Sequence, residues 1–476
     1  MADDTAWERL LTMVRDHALV YRRSLPSRRV APSAESLSSD FGAPMSREGR
    51  SAEQVVDELV RLAAPGLTAM SGPRFFGWVV GGTLPAALAA DWLTSVWDQN
   101  AGPATGAPAA TAFELTALRW VVELLELPEQ ACGALLTGAT TANFVGLAAA
   151  RSHVLEAAGW DVEQRGLFQA PAVRVLVGHE RHDTIDKAVR LLGFGKQAMG
   201  FVDVDAQGRL SSKALRRELE RSPGPVIVCA QAGNVNSGAF DPFDEIAAAL
   251  DEDRSRRGEG QSWLHIDGAF GLWARATPSL AGLARGAELA DSWATDAHKF
   301  LNVPYDCGIA LTRHPQAHRR AMAVHGPYLS SGADPRGPSP GAFAPELSRR
   351  ARGFALWAAL RQLGREGVED LVTRCCSHAR LLAAQLSGGG APGVSVLNDV
   401  VFNQVVVKFQ APPGVDAGTF TWNLALAVQE EGTCYPTPTL WRACPALRFS
   451  VINADTTADD ILRSARAVID VYARRR

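Results

Sequence analysis

The sequence predicts an α/β protein in which a mainly parallel sheet lies between helices, with a helical segment ahead of it and a small α+β lobe behind. Two observations carry this. Short apolar runs rich in β-branched residues alternate with helical stretches from residue 141 to residue 312, the pattern of strand–crossover–strand units whose sheet is covered on both faces. Past residue 345 the alternation ends, and a shorter stretch supplies two further strands and two further helices.

Taken in order, the first element is a helix. Trp7, Leu10, Leu11, Val14, Ala18 and Tyr21 recur at helical spacing, and such a stripe needs a surface to cover it; a second copy of the chain would supply one. A polar linker containing Ser and Pro occupies residues 26–49, and a second helical pattern covers 52–64. Strands are expected at 173–177, 226–230, 263–266 and 308–312, with helices at 141–156, 183–192 and 211–220. In the C-terminal part, strands are expected at 401–409 and 446–451 and helices at 419–431 and 456–472. The chain thus divides into a helical segment (1–72), a large α/β domain (73–345) and a C-terminal helix with the small lobe (346–476).

Bulk properties exclude several classes. Of the 476 residues, 47% are apolar and 21% charged, and the net charge is -3, so neither a nucleic-acid nor a membrane-surface partner is expected. Charge interrupts every apolar run before the ~20 residues of a membrane helix. The opening Met-Ala-Asp-Asp has no apolar core of a secretory signal. The seven cysteines show no CxxC spacing and Cys375 and Cys376 are adjacent, which reads as reduced cytosolic thiols without a zinc site.

Four segments carry chemistry. Lys299, in Asp296-Ala297-His298-Lys299-Phe300, stands between apolar residues at a strand entrance. It is either a surface lysine at a loop end or the desolvated amine that imine chemistry requires. Asp267, in His265-Ile266-Asp267-Gly268-Ala269, ends an apolar strand. It reads as a helix cap or as the partner of a pyridinium nitrogen, and the small Gly268 and Ala269 leave room for a flat ring. Residues Thr137 to Asn143 place small and hydroxyl side chains at a helix start, where amide groups and the helix dipole favour an anion; a plain cap is the alternative. No GxGxxG or GxxxxGK[ST] motif occurs, which weighs against dinucleotide and P-loop sites. His179-Glu180-Arg181-His182 lacks the spacing of HExxH. A histidine past a strand end can instead stack on an aromatic ring, or simply be exposed.

A phosphate cradle, a histidine, a strand-end aspartate and a His-Lys pair therefore occur in that order. Further motifs extend the series: Pro73-Arg74-Phe75-Phe76, the stretch from Pro108 to Glu114, the segment from His182 to Ala188 (HDTIDKA), and Ser348-Arg349-Arg350. On these residues the chain resembles the group II pyridoxal-phosphate-dependent amino-acid decarboxylases, which include aromatic-amino-acid, glutamate and histidine decarboxylases. The resemblance implies the fold-type I architecture with a mainly parallel seven-stranded sheet, pyridoxal 5'-phosphate as cofactor, an amino acid as substrate, and a homodimer with active sites at its interface. It implies that Ala139 and Thr140 contact the phosphate with His298 assisting, that His182 stacks on the ring, and that Asp267 pairs with the ring nitrogen. Lys299 would carry the cofactor as an imine, and Val235 and Ala269 would lie beside it. Trp97, Asn100, Tyr328 and Phe343 fall where relatives place the substrate pocket.

Two departures stand out. Thr141 replaces the family's usual Glu. The segment 330–345, where relatives place a mobile loop with a proton-donating tyrosine, reads SSGADPRGPSPGAFAP and has Phe343 as its only aromatic. With four prolines and three glycines it is expected to lack regular structure. Tyr328, His182 and Tyr305 are the candidate replacements. The expected reaction is decarboxylation of an L-amino acid to an amine; the alternatives are aldehyde-forming oxidative deamination, other lyase or aminotransferase chemistry, and an idle scaffold, which the intact Asp267, His298 and Lys299 argue against.

Overall fold

The computed structural model describes residues 4–32, 44–324, 338–388 and 392–476. Two helices open it, α1 (Asp4–Ser24) and α2 (Ala52–Ala63). Ser51 and Gln54 form a capping box at the start of α2, satisfying two amide groups that the first turn leaves unpaired. Next come α3 (Pro85–Trp97) and α4 (Pro108–Leu124), each beginning on a proline whose missing N–H is no loss there.

The alternating region follows as β1 (Cys132–Leu136), α5 (Ala139–Ala157), the one-turn α6 (Val162–Arg165), β2 (Arg174–Gly178), α7 (Asp183–Leu191), β3 (Met199–Val202), α8 (Ser212–Glu220), β4 (Val226–Gln231), α9 (Phe243–Arg257), β5 (Ser262–Asp267), β6 (Ser292–Asp296), β7 (Gly308–Thr312) and α10 (Pro315–Met322). Helix α11 (Gly353–Gly388) is broken at Gly364, where φ is 62°. The chain closes with β8 (Val394–Val396), β9 (Gln404–Phe409), α12 (Ala417–Glu431), β10 (Thr437–Trp441), β11 (Cys444–Ser450) and α13 (Ala458–Arg475).

These elements form two compact units. The larger holds Gly81–Arg380 and Leu397–Val405. Its seven strands run in the order β1-β7-β6-β5-β4-β2-β3. Strand β7 is antiparallel to both its neighbours, and the remaining pairings are parallel, as the sequence predicts. Helix α5 crosses β1, β4, β5, β6 and β7 and is buried around most of its girth, which accounts for its alanines. The ends of β1, β2, β4, β5 and β6 all open onto one sheet edge, where α/β proteins bind ligands.

The smaller unit holds Met1–Val80, Leu381–Val396 and Val406–Arg476, and its sheet has the order β10-β11-β9-β8. Arg74 is its tie: the buried guanidinium pairs with Asp460 at 2.9 Å and donates to the carbonyls of Thr433, Pro26 and Arg28. Phe75 stacks on Tyr435 with ring centroids 4.9 Å apart. Because the N-terminal segment is fastened in this way to C-terminal residues, the units cut across a linear division at residues 72 and 345.

Candidate active site

Lys299 follows the end of β6. Its Nζ lies 2.9 Å from Asp296 Oδ2, one helical turn back in sequence, and its side chain is largely buried. Asp296 is almost wholly buried, and its other oxygen, Oδ1, has no hydrogen-bond partner among the described residues. His298 Nδ1 accepts the N–H of Cys307 at 3.1 Å. The ring proton therefore sits on Nε2, 3.5 Å from Asp296 Oδ2. Burial holds the His298 pKa below the ordinary imidazole value, with Asp296 opposing and Lys299 reinforcing the shift.

Asp267 closes β5, next to β6. Gly268 N–H donates to the Ala294 carbonyl and Asp296 N–H to the Ala269 carbonyl, which sets the Asp267–Ala269 corner beside the Asp296–Lys299 turn. Asp267 Oδ1 accepts from Ala269 N–H at 3.2 Å and Oδ2 accepts from Asn143 Nδ2 at 3.0 Å. Asn143 lies in the second turn of α5 and is completely buried.

The start of α5 faces the same edge. Its first turn has no side-chain cap, so its amide groups remain available to an anion. Ala139 is buried and Thr140 half-buried. Thr141, where the family pattern has Glu, shares a 2.9 Å hydrogen bond with Thr137. Behind the cradle, Arg349 and Glu114 form a fully buried pair at 2.8 Å. Both also bind the backbone of Leu135, Arg349 to its carbonyl and Glu114 to its N–H. Two motifs distant in sequence thus meet to fix the strand that leads into Thr137 and Gly138.

His182 caps α7 from the loop after β2. Its Nδ1 accepts from Thr184 N–H at 3.2 Å and lies 2.9 Å from Thr184 Oγ1, with the ring exposed. The loop carrying Val235 is tied to it: Asn234 Nδ2 and Gln231 Nε2 both donate to the Glu180 carbonyl. Val235 itself is half-buried.

The expected substrate residues are less uniform. Trp97 is half exposed and packs edge-on against Phe354. Asn100 is occupied by the backbone, its Oδ1 accepting from Gly102 and Arg349 N–H groups. Phe343 corrects the expectation of an irregular cover: residues Pro340–Phe343 form a 3-10 turn, and the ring is buried edge-on against His318, whose Nε2 bonds the Phe343 carbonyl. Tyr328 and residues 330–337 lie outside the described residues.

The pyridoxal-dependent decarboxylase conserved domain matches residues 35–409. The chain belongs to this family. An aromatic-L-amino-acid decarboxylase of Bacillus atrophaeus is 26% identical over 450 residues, 91% of this chain and 89% of that protein. An L-2,4-diaminobutyrate decarboxylase of Rhizobium meliloti (strain 1021) is 30% identical over 404 residues, 80% and 74% respectively. The crystal structure of Oryza sativa TDC with PLP and tryptamine shares the fold, with a TM-score of 0.89 and 22% identity over 99% of both chains. This decarboxylase is accordingly a carboxy-lyase with pyridoxal phosphate as its cofactor.

The residues present fit that group. Gly138 keeps the mouth of the cradle open: a Cβ there would stand 3.4 Å from His298 Cε1 and 3.7 Å from Asp296 Oδ1. Gly308 lets the strand beside it approach, since its Cβ would fall 2.4 Å from Gly138 Cα. An uncapped helix start suits the phosphate, Asp267 a ring nitrogen, and Lys299 the aldehyde carbon. Among the described residues no cluster of His, Cys, Asp or Glu could hold a metal ion, and no helix is long and apolar enough to cross a membrane. Local reading of the sequence gave no role to Asn143, Thr184 or Ser292, which belong to a hydrogen-bonded line that reaches Asp267 and His182. A buried amide inside an apolar helix was the one available signal.

Proposed function

We propose that the enzyme removes the α-carboxylate of an L-amino acid as CO2 and releases the amine, with Lys299 holding the cofactor, Asp267 its ring nitrogen, the start of α5 its phosphate, and His182 its ring face. The convergence of Lys299, Asp267 and an uncapped helix start on one sheet edge carries this reading. Bound pyridoxal phosphate supplies the electron sink for the breaking Cα–carboxylate bond. Asp296 holds the Lys299 ammonium and can take its proton when the amine must be neutral to attack. Asp267 keeps a proton at the ring nitrogen. His182, with Nδ1 engaged by Thr184, carries its proton on Nε2 and is the residue we assign to return one to the α-carbon. Borohydride treatment followed by peptide mass analysis tests the attachment: the modified residue is expected to be Lys299, and label elsewhere overturns the assignment. Mass spectrometry of products from a panel of amino acids tests the reaction.

A second reading rests on two observations: segment 330–345 contains no tyrosine, and Phe343 is buried. On that reading the enzyme would consume O2 and water and release aldehyde, ammonia, CO2 and hydrogen peroxide. One O2 consumed per CO2 released would establish it.

The exposed helices support a homodimer. Helix α1 buries none of its 21 residues and exposes Trp7, Leu11 and Val20, and α3 exposes Trp92 and Val96, stripes that an isologous interface would cover. Analytical ultracentrifugation is expected to give twice the chain mass. The spacing of the seven cysteines supports a cytoplasmic location.

A further inference from the structure

Beneath the sheet edge, a line of buried polar side chains runs to Asp267. Trp263 Nε1 donates to Ser292 Oγ at 2.8 Å, Ser292 Oγ lies 2.8 Å from His265 Nδ1, and His265 Nε2 lies 2.9 Å from Asn143 Oδ1. Asn143 Nδ2 then donates to Asp267 Oδ2 at 3.0 Å and to Thr184 Oγ1 at 3.2 Å. From Thr184 the line continues to His182 Nδ1.

Chemistry gives this line a single direction. A carboxylate only accepts, so the Asn143 NH2 group must face Asp267; turned over, two oxygens would oppose each other at 3.0 Å. Asn143 Oδ1 then needs a donor, which places the His265 proton on Nε2 and leaves Nδ1 to accept from the Ser292 hydroxyl. Ser292 in turn accepts from the Trp263 indole, which can only donate. Burial pushes the His265 pKa down to about 3, consistent with a ring that stays neutral and acts as a fixed donor.

The local sequence accommodates this arrangement at a cost to helix α5. Gly146 interrupts it where a Cβ would stand 2.8 Å from His265 Cε1, and glycine disfavours a helix interior by about 1 kcal/mol relative to alanine. A buried histidine, a buried asparagine and a mid-helix glycine replace what could be an apolar core.

We infer that Asn143 is a positioning residue that sets two groups at once, the Asp267 carboxylate and, through Thr184, the His182 ring, and that His265 fixes the amide orientation that makes this possible. The inference rests on the reading that Asp267 serves the ring nitrogen. It assigns to an unreactive amide the task of holding the acid on the ring nitrogen and the imidazole on the ring face in a constant relation. Each of the two NH2 hydrogens has one recipient.

The test has a cofactor-free and a loaded arm. In cofactor-free enzyme labelled with 15N-histidine, the His265 signal, assigned by its disappearance in His265→Gln, is expected to report Nε2–H and a bare Nδ1 from pH 5 to pH 8. A protonated ring or the opposite tautomer overturns the inference. In loaded enzyme, Asn143→Leu is expected to lower kcat by about 10- to 100-fold, the range seen when an outer-shell partner of a ligand is removed. KM and cofactor stoichiometry should change much less, and the pH dependence of the visible cofactor band should shift. His265→Gln, which keeps an N–H donor, should retain more activity than His265→Leu. Equal losses in those two variants, or an unchanged band and kcat in Asn143→Leu, overturn it. Asp267→Ala separates the underlying reading: if that variant is also unchanged, the ring-nitrogen assignment itself is wrong.

Discussion

Two aspartates end neighbouring strands of the large sheet, and they are held in opposite ways. Asp267 on β5 has both oxygens engaged by neutral donors, a backbone N–H and the Asn143 amide, neither of which reacts. Asp296 on β6 has one oxygen on the Lys299 ammonium and the other with no hydrogen-bond partner among the described residues. An unpaired buried carboxylate oxygen is expensive to maintain. On the proposed roles the contrast separates a rigid part of the site from one that changes partners: Asp267 would keep its bonds during turnover, whereas Asp296 would lose and regain its ammonium whenever Lys299 is engaged elsewhere.

The sharpest way to break this contrast is at the moving partner. Lys299→Ala is expected to abolish both the borohydride-reducible attachment and amine formation, while circular dichroism stays native. Residual turnover above background would remove Lys299 from the reaction. A second variant supplies a control at a pair that holds none of the proposed reacting groups. Arg349→Met leaves Glu114 buried without its cation, a loss of about 3–5 kcal/mol for a buried pair broken on one side. Thermal unfolding should begin at clearly lower temperature, and the activity surviving at low temperature should keep its pH profile. A changed profile with unchanged stability would mean that the pair acts on the chemistry.

Much of the fold was legible because the strands of a doubly covered sheet are apolar throughout. Residues 226–230 and 308–312 are continuous runs, and the strands found there differ by at most one residue from expectation. Strand β3 (MGFV) escaped notice, as did β1 (CGALL) and β6 (SWATD). Their small and polar residues have little intrinsic strand preference, and it is the neighbouring strands that impose the conformation. The proposed site residues could be picked out individually, since each follows or ends a strand. Their support was not. Asn143 and His265 are 122 residues apart and Glu114 and Arg349 are 235 apart, and no local spacing announces contacts that form only when the chain is folded. Phe343 misled for a related reason: a Pro/Gly-rich stretch reads as open loop, yet Pro340 starts a compact turn that buries the ring.

At the rigid aspartate, Asp267→Ala is expected to lower kcat by on the order of 100-fold or more, the usual loss when a preorganised electrostatic partner is removed. Cofactor retention should fall much less, because the proposed phosphate and Lys299 contacts, at the start of α5 and past the end of β6, lie outside β5. Equilibrium dialysis against kcat separates the two effects. Asp267→Asn tests charge apart from shape, since it keeps the Ala269 contact and loses the carboxylate; activity near normal in that variant would place the ring-nitrogen partner elsewhere.

The smallest expected effect lies at the unsatisfied aspartate and reads out on its neighbour. Burial lowers the His298 pKa, and the Asp296 charge works against that shift. In Asp296→Asn the opposing charge is gone, so His298 should remain neutral to still lower pH. A histidine whose folded pKa lies below its unfolded value binds fewer protons when folded. Its neutral form therefore costs stability as pH falls through the ordinary imidazole pKa of about 6.5, and the penalty levels off below the folded pKa. Asp296→Asn should accordingly steepen the loss of stability on the acid side, over the interval just below the wild-type His298 transition. Turnover should drop by about tenfold, the equivalent of 1.4 kcal/mol for one charge-assisted contact to Lys299. NMR titration of His298 and unfolding at a series of pH values check both signs. A His298 pKa that rises in the variant would show that Asp296 does not face this ring as a charge, and the contrast between the two aspartates would reduce to their different hydrogen-bond counts.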